Sequence, residues 1–312
     1  MIVLFAVSNI GFAATDSRNA SKQKAVLVTG ASTGIGRNIT ESLAANGYFV
    51  YAGARKQEDL DDLNEIPNVQ SIRLDVTIQE EIDAAVETVR NGGRGLYGLV
   101  NNAGVFAGGP LIETDEDDFR WLFEVNMFGV FKVTQAFAPL IIESKGRITT
   151  IGSISGILSG PMYGAYSMSK HAIEAYADAL AAEMQRFDVQ VSIIDPGSYR
   201  SQISKSARDR RGGLTEEQKN SPYAEEYKRR LEGSADRSQY KDPDEVADAT
   251  LHALFDEHPR HRYMVVPNRE QAALTIGRAV QRVAQLNEGQ EYSFSRDELI
   301  EILDEAMGTD EE

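Results

Sequence analysis

The sequence predicts an α/β fold: a doubly wound, mainly seven-stranded parallel sheet with helices on both faces, followed by a helical C-terminal extension. Three observations carry this. From Lys24 onward, short apolar runs rich in β-branched residues alternate with helical stretches. The first run, "AVLVTG" (25–30), is continuously apolar, as a strand buried on both faces should be. The helices between runs are of the length that joins parallel strands by crossover.

Taken in order, "AVLVTG" is the first strand. "GRNITESLAANG" is a helix ended by Gly47. "YFVYAGA" (48–54) and "VQSIRLDV" (69–76) are the second and third strands. "IQEEIDAAVETVRNG" is an amphipathic helix. "LYGLVNNAG" (96–104) is a fourth strand that runs into a glycine turn. A helical stretch covers 115–143, with Pro139 placed to kink it late. "GRITTIGS" (146–153), "VQVSIIDPG" (189–197) and "RYMVV" (262–266) complete the strands, and "YGAYSMSKHAIEAYADAL" (163–180) lies in the helix between the fifth and the sixth. This gives a leader over 1–23, a nucleotide-binding domain over 24–267, and a helical acidic extension over 268–312. The charged segment 202–240 is either a lid over the site or a solvated insertion.

The 312 residues leave ample length for a core, with 42% hydrophobic and 26% charged residues. A net charge of −16 argues against a nucleic-acid partner, whose phosphates need a basic surface. The absence of cysteine excludes disulfides, thiolate metal sites and cysteine nucleophiles, and the four histidines (His171, His252, His258, His261) form no metal-ligand spacing. The opening "MIVLFAVSNIGFAATDS" reads two ways. It resembles the end of a secretory signal cleaved after Ala13, yet it lacks a basic start, since Arg18 is the first cation. Cytoplasmic and exported locations therefore both stay open. The leader is too short for a transmembrane helix, and no transmembrane span is expected later.

"TGASTGIG" (29–36) joins the first strand to the first helix. Its glycines, Gly30, Gly34 and Gly36, permit a tight turn and close approach of the backbone to a ligand, with Ser32, Thr33 and Ile35 between them. The helix N-terminus behind the loop offers N–H groups to a pyrophosphate. In dinucleotide folds an acid ending the second strand holds the ribose hydroxyl of NAD, whereas an arginine receives the 2′-phosphate of NADP. Here Ala54 stands in the acid's place and Arg55 follows, so NADP(H) is preferred over NAD(H). The competing reading is that Arg55 is a surface charge.

Tyr166 and Lys170 are four residues apart and share a helix face. A phenol titrates near pH ~10. A neighbouring ammonium favours the tyrosinate and so suits the phenol to proton exchange near neutrality.

Together "TGASTGIG", "NNAG" (101–104), Ser153, "YSMSK" (166–170) and "PG" (196–197) resemble the short-chain dehydrogenase/reductase (SDR) family, in family order and over residues 24–266. The resemblance implies a Rossmann-type sheet and an alcohol/carbonyl oxidoreductase of the NADP(H)-dependent kind. It implies Tyr166 as general acid or base, and Lys170 on the nicotinamide ribose. Ser153 would bond the substrate oxygen, and Asn126 would hold a water that relays protons to Lys170. Asp75 and Val76 would lie beside the adenine. Asn102, Ala103 and Gly104 would support the cofactor, and Pro196, Gly197 and Ser201 would bracket the nicotinamide amide. Serine at 201 replaces the threonine common in the family and keeps the hydroxyl. "VYAGAR", "VNMFGVFKVTQAFAPL" and "GRITTIGSISG" resemble hydroxysteroid- and retinol-dehydrogenase-type members. Segment 202–240 would then cover a small-molecule substrate, with Arg200, Lys205, Arg208, Arg210 and Arg211 as a basic patch that an anionic substrate or plain solvent could meet.

Two other readings compete. One is a non-catalytic NADP-binding or scaffold protein on the same fold. The other is a sugar-nucleotide epimerase or dehydratase, which the glycine spacing disfavours. The family commonly forms dimers or tetramers, which makes a homo-oligomer an expectation. Substrate identity, direction and stereochemistry are not written in the sequence.

Overall fold

The structure is a computed structural model that describes residues 23–203, 210, 213–233 and 239–308. The leader and its proposed cleavage site, with Lys205, Arg208 and Arg211 of the basic patch, lie outside the described residues.

The strands form in the predicted order: β1 (Ala25–Val28), β2 (Phe49–Ala54), β3 (Val69–Arg73), β4 (Gly98–Asn101), β5 (Arg147–Ile151), β6 (Gln190–Pro196) and β7 (Arg262–Val265). They make one sheet of order β3-β2-β1-β4-β5-β6-β7, with every pairing parallel. The central strands β1 and β4 are buried at every position, which explains their continuous apolar runs.

The helices are α1 (Gly34–Ala45), α2 (Gln57–Asn64), α3 (Gln79–Asn91), α4 (Glu116–Phe123), α5 (Gly129–Glu143), α6 (Gly164–Met184), α7 (Glu216–Lys219), α8 (Ala224–Gly233), α9 (Asp244–Phe255), α10 (Arg269–Asn287) and α11 (Arg296–Met307). Two apolar cores flank the sheet. One contains Ile82, Val86 and Val89 of α3 with Val133 and Phe137 of α5. The other contains Ile39 and Leu43 of α1 with Val246 and Leu254 of α9. Helices on both faces bury the central strands, while the edge strand β3 keeps Gln70 and Arg73 exposed.

Several features were not read from the sequence, helix α9 among them. The acidic stretch after Arg55 contains the short helix α2, which buries only Leu60 and Leu63. Between α4 and α5 the chain makes one π turn, Glu124–Phe128. The helix then runs through Pro139, so the irregularity comes earlier than the proline suggested. The charged segment 202–240 contains α7 and α8. The stretch Glu116–Glu143 is long and apolar enough to cross a membrane, but half of its most apolar window is buried, and Val133, Phe137 and Ile141 sit in the core.

The described chain divides into two compact units, one ending at Val265 and one covering Val266–Glu312. The second contains the predicted C-terminal helices. Ser295 starts α11 with a capping box to Glu298, and Gly308 ends it with a left-handed φ of 67°.

Candidate active site

The sheet order reverses direction between β1 and β4, and a crevice opens there at the carboxyl ends of the strands. Its floor is tied across the two strands. The Thr29 hydroxyl oxygen accepts the backbone N–H groups of Asn102 and Ala103, each at 3.0 Å. The Asn102 amide donates to the carbonyls of Thr29 (2.9 Å) and Gly30 (3.0 Å). These bonds fix the glycine loop against the turn after β4.

The loop needs its glycines. Gly30 and Gly34 have φ of 64° and 58°, in the left-handed region. A Cβ on Gly36 would overlap the Gly30 carbonyl and the Asn102 amide. Behind the loop, Thr33 makes no side-chain cap on α1, and no acid lies in the first turn. Ile35 and Gly36 line the cavity from that turn, so the positive helix end faces it without a carboxylate in competition. A cradle of this kind fits a dinucleotide phosphate.

A single cavity of about 760 Å³ collects the predicted residues. Its wall includes the glycine loop, Arg55, Asp75, Val76, the 102–104 turn, Ser153, Tyr166, Lys170, Pro196, Gly197 and Ser201. Arg200 and Arg210 of the basic patch do not line it and pair with Asp242 and Asp118; the other exception is Asn126, which is buried one layer behind the wall. It sits in the π turn. Its Oδ1 accepts the Val105 N–H (2.8 Å), and its Nδ2 donates to the Val105 carbonyl (3.0 Å) and to the Ser169 hydroxyl (3.1 Å). The side chain therefore braces the strand-end turn.

Arg55 lies 3.6 Å from Asp75. Burial alone would raise the Asp75 carboxyl, but hydrogen bonds from Thr77 and the charge of Arg55 outweigh it and hold the group below its usual range. Asp75 thus stays ionised and keeps a partial hold on Arg55.

Tyr166 and Lys170 lie on one face of α6. The Lys170 ammonium is buried, donates to the Ile151 carbonyl at 2.9 Å, and lies 5.9 Å from the centre of the Tyr166 ring. Burial lowers its pKa to about 8, against the opposing pull of Asp195 and Glu174. Ser153 accepts the Ser155 N–H at 3.1 Å, which orients its hydroxyl oxygen.

Two carboxyl groups behind this wall were missed by the sequence reading. Asp195, at the end of β6, is fully buried and accepts the Ser153 N–H at 3.0 Å. Its other carboxyl oxygen, Oδ2, and Oε1 of Glu174, one turn beyond Lys170, are both buried without a hydrogen-bond donor, and the two carboxyl groups interact. Glu174 is held on its far side by Arg262 at 2.9 Å. Burial and the facing Glu174 push Asp195 well above the usual carboxylate range. An acid in a buried strand directly before "PG", with a glutamate four residues after Lys170, was the available signal.

The short chain dehydrogenase family matches residues 24–212. Rat mitochondrial D-beta-hydroxybutyrate dehydrogenase is 35% identical over 196 residues, covering 59% of this chain and 57% of the rat protein. The chain thus spans little more than half the length of that relative. An NADPH-dependent 3-dehydrocapnine reductase from Ornithobacterium rhinotracheale is 35% identical over 253 residues (78% and 88%). Mouse retinol dehydrogenase 16 is 33% identical over 256 residues (78% and 80%). Among solved structures, a short-chain dehydrogenase from Streptomyces avermitilis superposes with a TM-score of 0.72 at 32% identity, covering 85% of this chain and 95% of that one. Enzymes of the same kind from Burkholderia phymatum, in complex with NAD, and Burkholderia cenocepacia, in complex with NADP, superpose at 0.73 and 0.66. Their identities are 25% and 26%, and they cover 88% and 84% of this chain and 99% and 95% of theirs. This chain belongs to the short-chain dehydrogenase family.

Proposed function

We propose that the chain is an NADP(H)-dependent oxidoreductase acting between a secondary alcohol and a ketone, with Tyr166 as the proton-transferring group. The observation that carries this is the placement of Tyr166, the buried Lys170 and Ser153 on the wall of the same cavity as the glycine loop. The bound nicotinamide would supply or accept the hydride.

In reduction, Ser153 and Tyr166 would bond the carbonyl oxygen, and Tyr166 would give it a proton as charge develops there. Lys170 would hold positive charge behind the phenol and stabilise the tyrosinate left behind. Because the Asn126 side chain is committed to Val105 and Ser169, a relay water would be held by its backbone carbonyl. The glycine loop and the first turn of α1 would hold the pyrophosphate. Asp75 and Val76 would flank the adenine, and Pro196, Gly197 and Ser201 the nicotinamide amide. Residues 24–267 would form the catalytic domain, with 202–240 over the substrate.

Arg55 supports NADP(H), since no carboxylate occupies the end of β2 and a guanidinium pairs well with a phosphate. The relative named NADPH-dependent agrees with this. The relatives' names span hydroxybutyrate, retinol and 3-dehydrocapnine, so they point to small alcohol or carbonyl substrates without choosing one. Exposed Phe128, at the end of the π turn, and Phe131, in the first turn of α5, suit self-association.

The test supplies NADPH or NADH with ketosteroids, retinal, aromatic ketones and keto acids, and follows cofactor oxidation. Faster turnover with NADPH is expected, with the preference lost in Arg55→Ala. Faster turnover with NADH in the wild type would overturn the cofactor reading. Failure of both cofactors, with NADPH still bound, would favour the non-catalytic alternative.

A further inference from the structure

The buried ammonium of Lys170 donates to a neutral partner, the Ile151 carbonyl. A cation held away from water is costly unless an anion compensates it. Two carboxyl groups act on it, Asp195 from β6 and Glu174 from its own helix, α6. The chain makes room for both. A Cβ on Gly152 would overlap Asp195 Oδ1, and a Cβ on Gly156 would overlap Glu174 Oε1. The two glycines of "GSISG" thus let the Ser153 turn lie directly on the acid pair, where Asp195 Oδ1 accepts the Ser153 N–H at 3.0 Å. Neither acid lines the cavity, so both act through the residues that do.

The two acids are not equivalent. Glu174 Oε2 accepts from Arg262 of β7, from Nε at 3.0 Å and from Nη2 at 2.9 Å. Arg262 also reaches outward to Asp178 at 2.8 Å, and Asp178 meets His261 Nε2 at 2.8 Å. The side chains of Asp178 and His261 are 56% and 37% exposed, so water screens their charges from Lys170. Asp195 Oδ2 and Glu174 Oε1 have no donor among the described residues. Two adjacent carboxyl groups out of water do not both ionise, and the one that a guanidinium holds keeps its charge. One proton on Asp195 Oδ2 turns that oxygen into a donor to Glu174 Oε1 and satisfies both.

We infer that Glu174 is the buried counter-ion of Lys170, a positioning residue that keeps the ammonium charged behind Tyr166, and that Asp195 beside it is neutral and donates its proton to Glu174 in a hydrogen bond. The charge pairing stands on the geometry alone; its consequence for proton transfer rests on the oxidoreductase reading above. The two roles separate by substitution. Glu174→Gln removes the anion. Asp195→Asn replaces one neutral donor with another and leaves the anion in place.

The test is a pH titration of the full chain, carbon-13 labelled at lysine Cε, followed by NMR. The Lys170 signal, assigned by its loss in Lys170→Arg, should titrate at about 8 in the wild type. In Glu174→Gln its midpoint should fall by about half a pH unit or more, and in Asp195→Asn it should stay within about 0.2 of the wild type. Equal midpoints in Glu174→Gln and the wild type would overturn the inference. So would a larger fall in Asp195→Asn, which would make Asp195 the counter-ion. Where Glu174→Gln fails to fold, Glu174→Asp takes its place: its carboxylate stands farther from Lys170, so a lower midpoint sustains the pairing and an unchanged one overturns it. In turnover, the alkaline limb of kcat/KM should move down with the NMR midpoint in Glu174→Gln. Rates that fall equally at every pH, with the limb unmoved, are the behaviour of a structural strut and would also overturn it. A lowered midpoint in a chain that turns over no carbonyl would sustain the counter-ion and sink the oxidoreductase reading instead.

Discussion

At Asp195 a carboxyl is held away from water between the Ser153 amide and a second carboxyl, Glu174. Because burial beside Glu174 favours the neutral carboxyl, Asp195→Asn should keep the Ser153 bond, with the new amide donating to Glu174. Asp195→Ala should leave the Ser153 N–H without its acceptor, while Glu174 keeps Arg262, and cost about 1–3 kcal/mol in chemical denaturation. The sign with pH follows from linkage. A carboxyl whose folded pKa is raised contributes its full stability below the unfolded value of about 4, and loses it as pH rises toward the folded value. The substituted amide cannot titrate, so the stability of Asp195→Asn relative to wild type should rise from about pH 4 toward neutrality. A difference that stays flat would mean that Asp195 is ionised in the fold. Lys170 gives a second expectation at this scale. Its ammonium is present below a pKa of about 8 and is lost above it. The kcat/KM for carbonyl reduction should therefore fall as pH rises through that value, and Lys170→Arg should move the alkaline limb upward. A wild-type profile flat to well above that value would contradict the role given to Lys170.

At the scale of elements, the π turn Glu124–Phe128 and the glycine loop meet through the turn after β4. Asn126 supplies three hydrogen bonds to that turn and to α6, all buried. Asn126→Ala should leave the Val105 N–H and carbonyl unpaired and lower stability by roughly 2–3 kcal/mol in urea unfolding. An effect under about 0.5 kcal/mol, the range of an ordinary surface change, would show that the brace is dispensable. The same elements show what sequence can reveal. β1 and β4 were legible because strands buried on both faces have a continuous apolar run. The glycine loop was legible because its backbone needs glycine at fixed spacing. α2 was hidden because a short surface helix buries only Leu60 and Leu63 among acids. The π turn was hidden because it depends on Val105, far away in sequence.

For the whole molecule, the parallel sheet brings residues far apart in sequence to one crevice, and the predicted catalytic and cofactor residues, apart from Asn126, line a single cavity there. The fold and the family were legible because each strand end carries its own short motif. The substrate was not, because the cavity wall is assembled from side chains of widely separated segments. The central claim is that Tyr166 transfers the proton in an NADPH-linked carbonyl reduction. Its most direct test compares wild type with Tyr166→Phe on the best carbonyl substrate, with NADPH binding measured alongside to show that the site still forms. Loss of the phenol should lower kcat by about 10²–10⁴-fold, the range of general acid catalysis. A Phe variant that binds NADPH and turns over at the wild-type rate would contradict it.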